Sequence, residues 1–185
     1  STEWVYGNFT KEKQIEKDFI NIESLNSLYA ITKAIGEKIL FTKTNKFKKT
    51  ILRFGIIYGN RKKNFSALES IFLNCSDNKS VTVGSKRNSR RFIHVSDIVE
   101  GIIKTLKYNK SSTFNLTGTQ DISLEKIIKT SEKILKKKIK IYEKNPNLIS
   151  IRKPSNKKIR NEMGWKQKIH LLEGMRLLRD YFKKT

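Results

Sequence analysis

Short apolar segments of strand type alternate with amphipathic segments of helical type along most of this chain. Residues 50–55 form an apolar run that ends in glycine, and residues 113–116 form a second run of strand type. Apolar residues recur at helical spacing in residues 26–44, 97–108 and 171–182. Because strands and helices that alternate in sequence usually build a sheet with helices packed on its faces, the pattern predicts an α/β fold.

The composition fits a folded domain with a buried core. The chain has 185 residues, of which 37% are hydrophobic, and this is enough to bury a core. No apolar run approaches the roughly 20 residues that a membrane-spanning helix needs. The single Cys75 cannot form an internal disulfide, and no Cys/His cluster with metal-ligand spacing is present in the sequence. We therefore expect a cytoplasmic protein with no metal site and no membrane partner.

The net charge of +23 raises the question of a polyanionic partner. The excess consists mostly of lysines that are spread over the whole length and interleaved with acidic residues. The sequence carries no zinc-finger or RNA-recognition motif, so a solvated basic surface is favoured and nucleic acid is not expected as a partner. A non-enzymatic module that uses this basic surface remains an alternative from another functional class.

Tyr29 and Lys33 are four residues apart in a segment of helical type, so their side chains share one face of the helix. A phenol beside a fixed ammonium can act as a general base, because the cation favours the phenolate form. Many helices carry this pair by chance, so it needs support from the rest of the chain. The apolar stripe predicted for the same helix consists of Ile31, Ala34, Ile35 and Ile39.

Five segments, in this order, resemble the extended short-chain dehydrogenase/reductase family, which contains the NAD-dependent nucleotide-sugar epimerases and dehydratases. Together they span nearly all of the chain, and the ordered set is more specific than any one of its motifs. The segments are Ser1-Thr2-x-x-Val5-Tyr6-Gly7, Tyr29-x-x-x-Lys33 with Glu37, residues 52–59 (LRFGIIYG), residues 90–98 (RRFIHVSDI), and residues 162–166 (EMGWK) followed by 172–174 (LEG).

The resemblance implies a partial Rossmann fold, a doubly wound parallel sheet, followed by a smaller C-terminal α/β substrate-binding domain. Residues 1–60 would form the C-terminal part of the NAD-binding domain and include the Tyr29 helix. Residues 61–185 would form mostly the substrate-binding domain, with elements around 91–120 that return to the Rossmann sheet.

The Gly-rich phosphate-binding loop of the family has no counterpart in this sequence. The chain has nine glycines, and none of them are spaced as G-x-G or G-x-x-G. We therefore expect a fragment that lacks the main phosphate-binding loop for NAD or NADP and is inactive alone. The complete protein is expected to be a homodimer, as the resemblance implies.

The resemblance also implies roles for individual residues near the cofactor. Tyr29 would be the catalytic base, and Lys33 would hold the nicotinamide ribose and favour the phenolate of Tyr29. The hydroxyl of Thr2 would contact both the reacting sugar oxygen and Tyr29, so Thr2 is a catalytic and a substrate-binding candidate. Phe54 and Gly55 would border the nicotinamide.

Substrate contacts are implied for Arg90, which would grip the diphosphate of a nucleotide sugar, and for Asn64 and Phe65. His94 is expected to be structural, and Asp97 is expected to cap the helix that follows it. The implied reaction removes a hydroxyl proton and a hydride from one sugar carbon and gives a 4-keto sugar. An NAD(P)-dependent sugar-nucleotide epimerase or oxidoreductase is therefore expected.

Several positions depart from the family pattern. The family's 4,6-dehydratases have Glu where this chain has Trp4, and the acid here is Glu3, one residue earlier. An indole cannot act as a general base, so epimerisation or simple reduction is favoured over dehydration. A dehydratase or reductase of the same family remains the alternative to an epimerase. Ile56 replaces a phosphate-binding Asn, and the family's R-P-G-D arginine is missing near residues 145–147, with Arg152 as a candidate substitute.

Overall fold

The structure is a computed structural model that describes residues 1–7, 13–42, 47–63 and 65–184. Strands and helices alternate in it, as the apolar pattern predicts. The described elements are a 3₁₀ helix at Glu3–Tyr6, a second at Ile22–Ser24, α1 (Leu28–Thr42), β1 (Thr50–Phe54), β2 (Ile56–Tyr58), α2 (Ala67–Asp77), β3 (Ser80–Val83), β4 (Ser89–Arg90), β5 (Phe92–His94), α3 (Val95–Leu106), β6 (Ser112–Leu116), β7 (Ile122–Ser123), α4 (Leu124–Leu135), β8 (Lys140–Glu143), α5 (Lys157–Met163) and α6 (Leu171–Phe182).

Strand β1 holds the first residues of the chain beside the sheet. It pairs in parallel with β6, from Thr50 opposite Ser112 to Phe54 opposite Leu116. Thr2 forms a parallel bridge to Phe54, and the Phe54 amide donates to the Ser1 carbonyl at 3.3 Å. The end of β1 therefore lies between β6 and the residues that begin the Glu3–Tyr6 helix.

The remaining strands form three short pairs. Strand β2 pairs in parallel with β5, β3 pairs in parallel with β8, and β4 pairs antiparallel with β7. Ile56 and Ile57 are β-branched residues that continue into β2, opposite Phe92 and Ile93, where they pack against the cores on both sides.

Three apolar clusters stabilise these elements. The largest lies among α2, α4, α6 and the strands next to them, and it contains Tyr58, Phe72 and Met175. A second packs α3, α5 and β6 around the fully buried Trp165. The third joins the Glu3–Tyr6 helix to α1 and consists of the buried residues Val5, Leu25, Ala30 and Ala34. This third cluster fixes the helix that carries Tyr29.

The buried face of α1 differs from the predicted apolar stripe. Ala30, Ala34 and Glu37 are buried, whereas Ile35 and Ile39 are 42% and 48% exposed. The two alanines allow the Glu3–Tyr6 helix to approach closely, and Arg53 neutralises Glu37, so this face can be buried despite its carboxylate. The isoleucines are left on the outer face, and the homodimer that would cover them stays a prediction.

Asp97 does not cap α3, contrary to the prediction. Strand β5 ends at His94, and the helix begins at Val95, so His94 is the N-cap and its Nδ1 accepts from the Ser96 amide at 3.3 Å. Asp97 lies in the first turn, is 1% exposed, and accepts from the amides of Lys168 and Ile169 at 2.9 and 3.1 Å. Its carboxylate thus joins α3 to the segment that leads into α6.

No helix in the described part of the chain is both long and apolar enough to cross a lipid bilayer. The described His, Cys, Asp and Glu side chains include no group of three that could hold a metal ion.

Gly174 in α6 lies against the ring of Tyr58. A Cβ at this position would overlap Tyr58 Oη and would lie 2.7 Å from Cε2, and Tyr58 is 1% exposed and cannot move aside. We expect Gly174→Ala to lower the free energy of unfolding by about 1–3 kcal/mol, as overpacking does. Gly36→Ala is the control, because nothing lies within 4 Å of its Cβ position on the exposed side of α1. Gly36→Ala should raise the free energy of unfolding by about 0.5–1 kcal/mol. Equal effects of the two variants in urea denaturation would contradict this packing.

Candidate active site

Tyr29 and Lys33 lie in the first half of α1 and share one face of it. The Lys33 Nζ atom is 5.7 Å from the centroid of the Tyr29 ring. Tyr29 is 51% exposed, so a small molecule can reach its phenol from solvent. The helix therefore presents a hydroxyl and an ammonium together, which is the arrangement that proton transfer to a phenolate needs.

Thr2 lies at the junction between the sheet and the Glu3–Tyr6 helix. It is 5% exposed, and its Oγ1 accepts from the Trp4 amide at 3.3 Å, which caps that helix. The helix packs against α1 through the buried cluster around Ala30. Thr2 therefore has a structural role in this fold, and its contact with a reacting sugar oxygen stays a prediction.

Trp4 lies between Tyr29 and Arg152. Its ring meets the Tyr29 ring edge to face, with centroids 6.4 Å apart, and the Arg152 Cζ atom lies 4.2 Å from its centroid on a cation–π contact. A cavity of about 250 Å³ opens beside these side chains. It is lined by Trp4, Gly7, Leu25, Asn26, Ser27, Ala30 and Arg152.

Arg152, which lines this cavity, forms a buried charged pair with Glu3. Glu3 is 0% exposed, and its Oε1 is 3.8 Å from Nη1 of Arg152, which is 5% exposed. Burial raises the pKa of Glu3 to about 7, although the positive charges of Arg152 and Arg90 act in the opposite direction. Burial likewise lowers the pKa of Arg152 to about 10. The cavity is therefore lined by a cationic residue that is paired with a titratable carboxyl.

Arg90 is half-buried at the edge of the same group. Its Nη1 donates to the carbonyls of Ser89 and Ser150, and its Nη2 donates to Ser150 Oγ, each at 2.7 Å. These bonds fix the guanidinium, and burial lowers the pKa of Arg90 while Glu3 opposes this shift. The contact of Arg90 with a diphosphate stays a prediction.

The remaining predicted site residues are Asn64, Phe65, Phe54 and Gly55. Asn64 lies outside the described residues. The Phe65 ring packs edge to face on Phe182 of α6, with centroids 5.7 Å apart. Phe54 ends β1 and packs on the second cluster. Gly55 follows it where a Cβ would lie 2.7 Å from the Arg91 carbonyl oxygen, so the lack of a side chain permits a close approach of two backbones.

A polar network connects α1 to the sheet. Arg53 Nη2 donates to Glu37 Oε2 at 2.7 Å, and Arg53 Nη1 donates to Tyr6 Oη at 2.9 Å. Tyr6 Oη in turn donates to Asn115 Oδ1 at 2.7 Å, and burial raises the pKa of Tyr6 to about 12. This network was not predicted from the sequence, although an arginine inside an apolar strand run indicates a buried acidic partner.

Comparison with known proteins identifies the family. The model of the NAD dependent epimerase/dehydratase family matches residues 1–117, which is more than half of the chain. The chain belongs to this family. The predicted resemblance is thereby confirmed, and so is the α/β fold, because the structural neighbours are Rossmann-type epimerases and dehydratases.

Three similar proteins illustrate the relationship. UDP-glucuronic acid decarboxylase 6 of Arabidopsis thaliana is 24% identical over 99% of this chain and 56% of its own length. The uncharacterized UDP-glucose epimerase YtcB of Bacillus subtilis (strain 168) is 31% identical over 77% of this chain and 45% of its own length. The UDP-glucuronic acid 4-epimerase of Bacillus cereus was solved in complex with UDP-glucuronic acid and NAD. It has a TM-score of 0.84 and 22% identity over 100% of this chain and 60% of its own. The chain thus spans about half the length of the curated relatives it matches.

Proposed function

We propose that this chain contains the proton-transfer residues and the sugar-binding surface of an NAD(P)-dependent enzyme that converts a nucleotide sugar through a 4-keto intermediate. The observation that carries the proposal is the half-exposed Tyr29 phenol, with Lys33 on the same helix face and Trp4 against its ring, while Arg152 lies on the Trp4 ring. Epimerisation is the favoured outcome, because Trp4 supplies no second acid or base next to Tyr29.

In this mechanism Tyr29 accepts the proton of a sugar hydroxyl, and the ammonium of Lys33 stabilises the phenolate before transfer. Thr2, which is fixed at the end of the sheet, would orient the same hydroxyl. The apolar ring of Trp4 shields one side of Tyr29 from water and so limits competing proton exchange. When Tyr29 later returns its proton, the hydroxyl is restored on the sugar.

The described residues fit the nicotinamide end of NAD. Tyr29 is half-exposed and Lys33 is exposed on one helix face, and a hydroxyl with an ammonium is a suitable pair to hold ribose hydroxyls. When bound, NAD supplies the group that accepts and returns a hydride. Phe54 and Gly55 are proposed to border it.

The proposed substrate is a UDP-sugar whose sugar carries a carboxylate. The relatives include a UDP-glucuronic acid decarboxylase and a UDP-glucuronic acid 4-epimerase, and here Arg152 lines the cavity beside Trp4. A guanidinium can bind a carboxylate through two parallel hydrogen bonds. Arg152 would therefore meet the carboxylate, while Arg90, at the rim of the same group, would meet the diphosphate.

A binding experiment tests this assignment. Arg152→Gln should weaken binding of UDP-glucuronic acid by about tenfold or more and change binding of UDP-glucose little, because a hydrogen bond to a charged group contributes about 1.5–3 kcal/mol. Calorimetry at about pH 6 is suitable, since Glu3 is then mostly protonated and is not left as an unpaired anion. Arg152→Lys keeps the charge but lacks the planar guanidinium. Its affinity for UDP-glucuronic acid should therefore lie between those of the parent chain and of Arg152→Gln. An equal loss for both ligands would assign Arg152 to the nucleotide instead, and failure of the parent chain to bind either ligand would refute the proposal.

A further inference from the structure

Glu3 is a carboxyl group buried without adequate compensation. Its side chain is 0% exposed, and neither oxygen has a hydrogen-bond partner in the described part of the chain. The nearest recorded positive group is Nη1 of Arg152, at 3.8 Å, which is longer than a hydrogen bond. Buried carboxylates are normally paired and hydrogen-bonded, because an uncompensated charge in the interior is costly. A group held in this way is sensitive to any second charge brought near it.

Arg152 is the cation through which such a charge would act. Its guanidinium lies on the Trp4 ring and 3.8 Å from the Glu3 carboxyl, and Arg152 is also among the residues that line the cavity of about 250 Å³. An anion in the cavity and the Glu3 carboxylate would compete for the same positive charge. Two like charges close to one site disfavour each other's ionised form.

Resting on the function proposed above, we propose that Glu3 is a positioning residue that takes up one proton from solvent when the carboxylate of an acidic nucleotide sugar binds at Arg152. The protonated Glu3 no longer competes with the ligand for the guanidinium, so the ligand carboxylate interacts more strongly with Arg152. No covalent bond to the ligand forms or breaks, and the same proton returns to solvent when the ligand leaves. Glu3 would thereby determine how strongly the enzyme prefers acidic sugars at a given pH.

The charges around Glu3 give the direction of the pH dependence. The groups that face it are Arg152, Arg90 and Arg91, all cationic, and burial raises the pKa of Glu3 to about 7. Below that pH, Glu3 is already protonated and an acidic sugar binds at full strength. Above it, binding requires proton uptake, so affinity falls as pH rises, by up to about tenfold per pH unit. A neutral sugar brings no new charge to Arg152 and should not show this fall.

Calorimetry of the unmodified chain measures the proton directly. UDP-glucuronic acid and UDP-glucose are titrated at about pH 8 in two buffers of different ionisation enthalpy, since Glu3 is ionised in the free protein there. The two ligands share the nucleotide and the diphosphate, so the difference between them reports the carboxylate. We expect proton uptake with UDP-glucuronic acid to exceed that with UDP-glucose by close to one. Equal uptake would overturn the role of Glu3 and leave the proposed function standing, whereas binding of neither ligand would overturn both.

Variants assign the proton to Glu3. In Glu3→Gln the affinity ratio of the two ligands should be independent of pH between about 6 and 8.5 and the extra proton should vanish, while Glu3→Asp should restore a pH dependence. A purely structural role for Glu3 would weaken both ligands without changing the pH profile of their ratio. An unchanged pH dependence in Glu3→Gln would assign the proton to another group and overturn the inference. Circular dichroism checks the fold of each variant. If a variant does not fold, the inference is tested by the difference in proton uptake between the two ligands in the unmodified chain.

Discussion

Replacing Tyr29 by Phe should reduce the turnover of nucleotide sugars by about 10²–10⁴-fold, the usual contribution of a positioned general base. The substitution removes only the phenol hydroxyl. The ring that contacts Trp4 and lies below Lys33 is retained. The affinity for the nucleotide sugar should therefore change little, because the diphosphate and carboxylate contacts proposed for Arg90 and Arg152 are untouched. A loss of turnover without a loss of binding is the expected signature of proton transfer.

The assay uses the protein expressed with whatever coding sequence precedes Ser1, with NAD⁺ and a panel of UDP-, GDP- and dTDP-sugars. Tyr142→Phe is a matched control, because Tyr142 is 47% exposed, close to the 51% of Tyr29, and lies on β8. It should retain full turnover. If Tyr29→Phe and Tyr142→Phe behave alike on a substrate that the parent converts, Tyr29 is not the base.

The sequence predicted the elements whose signals are local. The apolar repeat placed α6 at residues 171–182, and the structure has Leu171–Phe182. Ser123 is a polar N-cap of α4, a residue type that favours this position, and its side chain accepts from the Lys126 amide at 3.1 Å. The shared face of Tyr29 and Lys33 also follows from spacing alone. Each of these features depends on residues within one or two turns of each other.

The buried charged groups could not be predicted in this way. Glu3 and Arg152 are far apart in sequence, and nothing in the pattern near Glu3 distinguishes a buried carboxyl from an exposed one. Periodicity also misassigned Ile35 and Ile39, because it identifies an apolar face without saying what covers it. The choice between burial of the isoleucines and burial of Glu37 was decided by Arg53, which comes from another element. The candidate site depends on such pairings between distant segments, so the sequence supplied its residues but not their arrangement.

The ion pair between Arg53 and Glu37 should therefore be a main determinant of stability. Both residues are less than 10% exposed, and Arg53 also donates to Tyr6, so the pair joins α1 to β1 and to the Glu3–Tyr6 helix. Arg53→Met should lower the free energy of unfolding by about 3–5 kcal/mol, because it leaves Glu37 buried without its cation. Urea denaturation followed by circular dichroism measures the change.

Two further variants separate the charge effect from the loss of packing. Arg53→Met combined with Glu37→Leu removes both charges and should recover much of the lost stability, since apolar side chains of similar volume can replace a buried pair. The control is Lys168→Met, which breaks the ion pair between Lys168 and Glu100, 2.9 Å long. Because the Lys168 side chain is 69% exposed, this variant should leave the unfolding midpoint nearly unchanged. Equal losses for Arg53→Met and the double variant would mean that the arginine stabilises through packing alone. If the charge effect holds, the helix that carries Tyr29 is fixed by electrostatics from the sheet. Arg53→Met should then also lower turnover at temperatures where the chain is still folded, without changing the proton that Glu3 takes up.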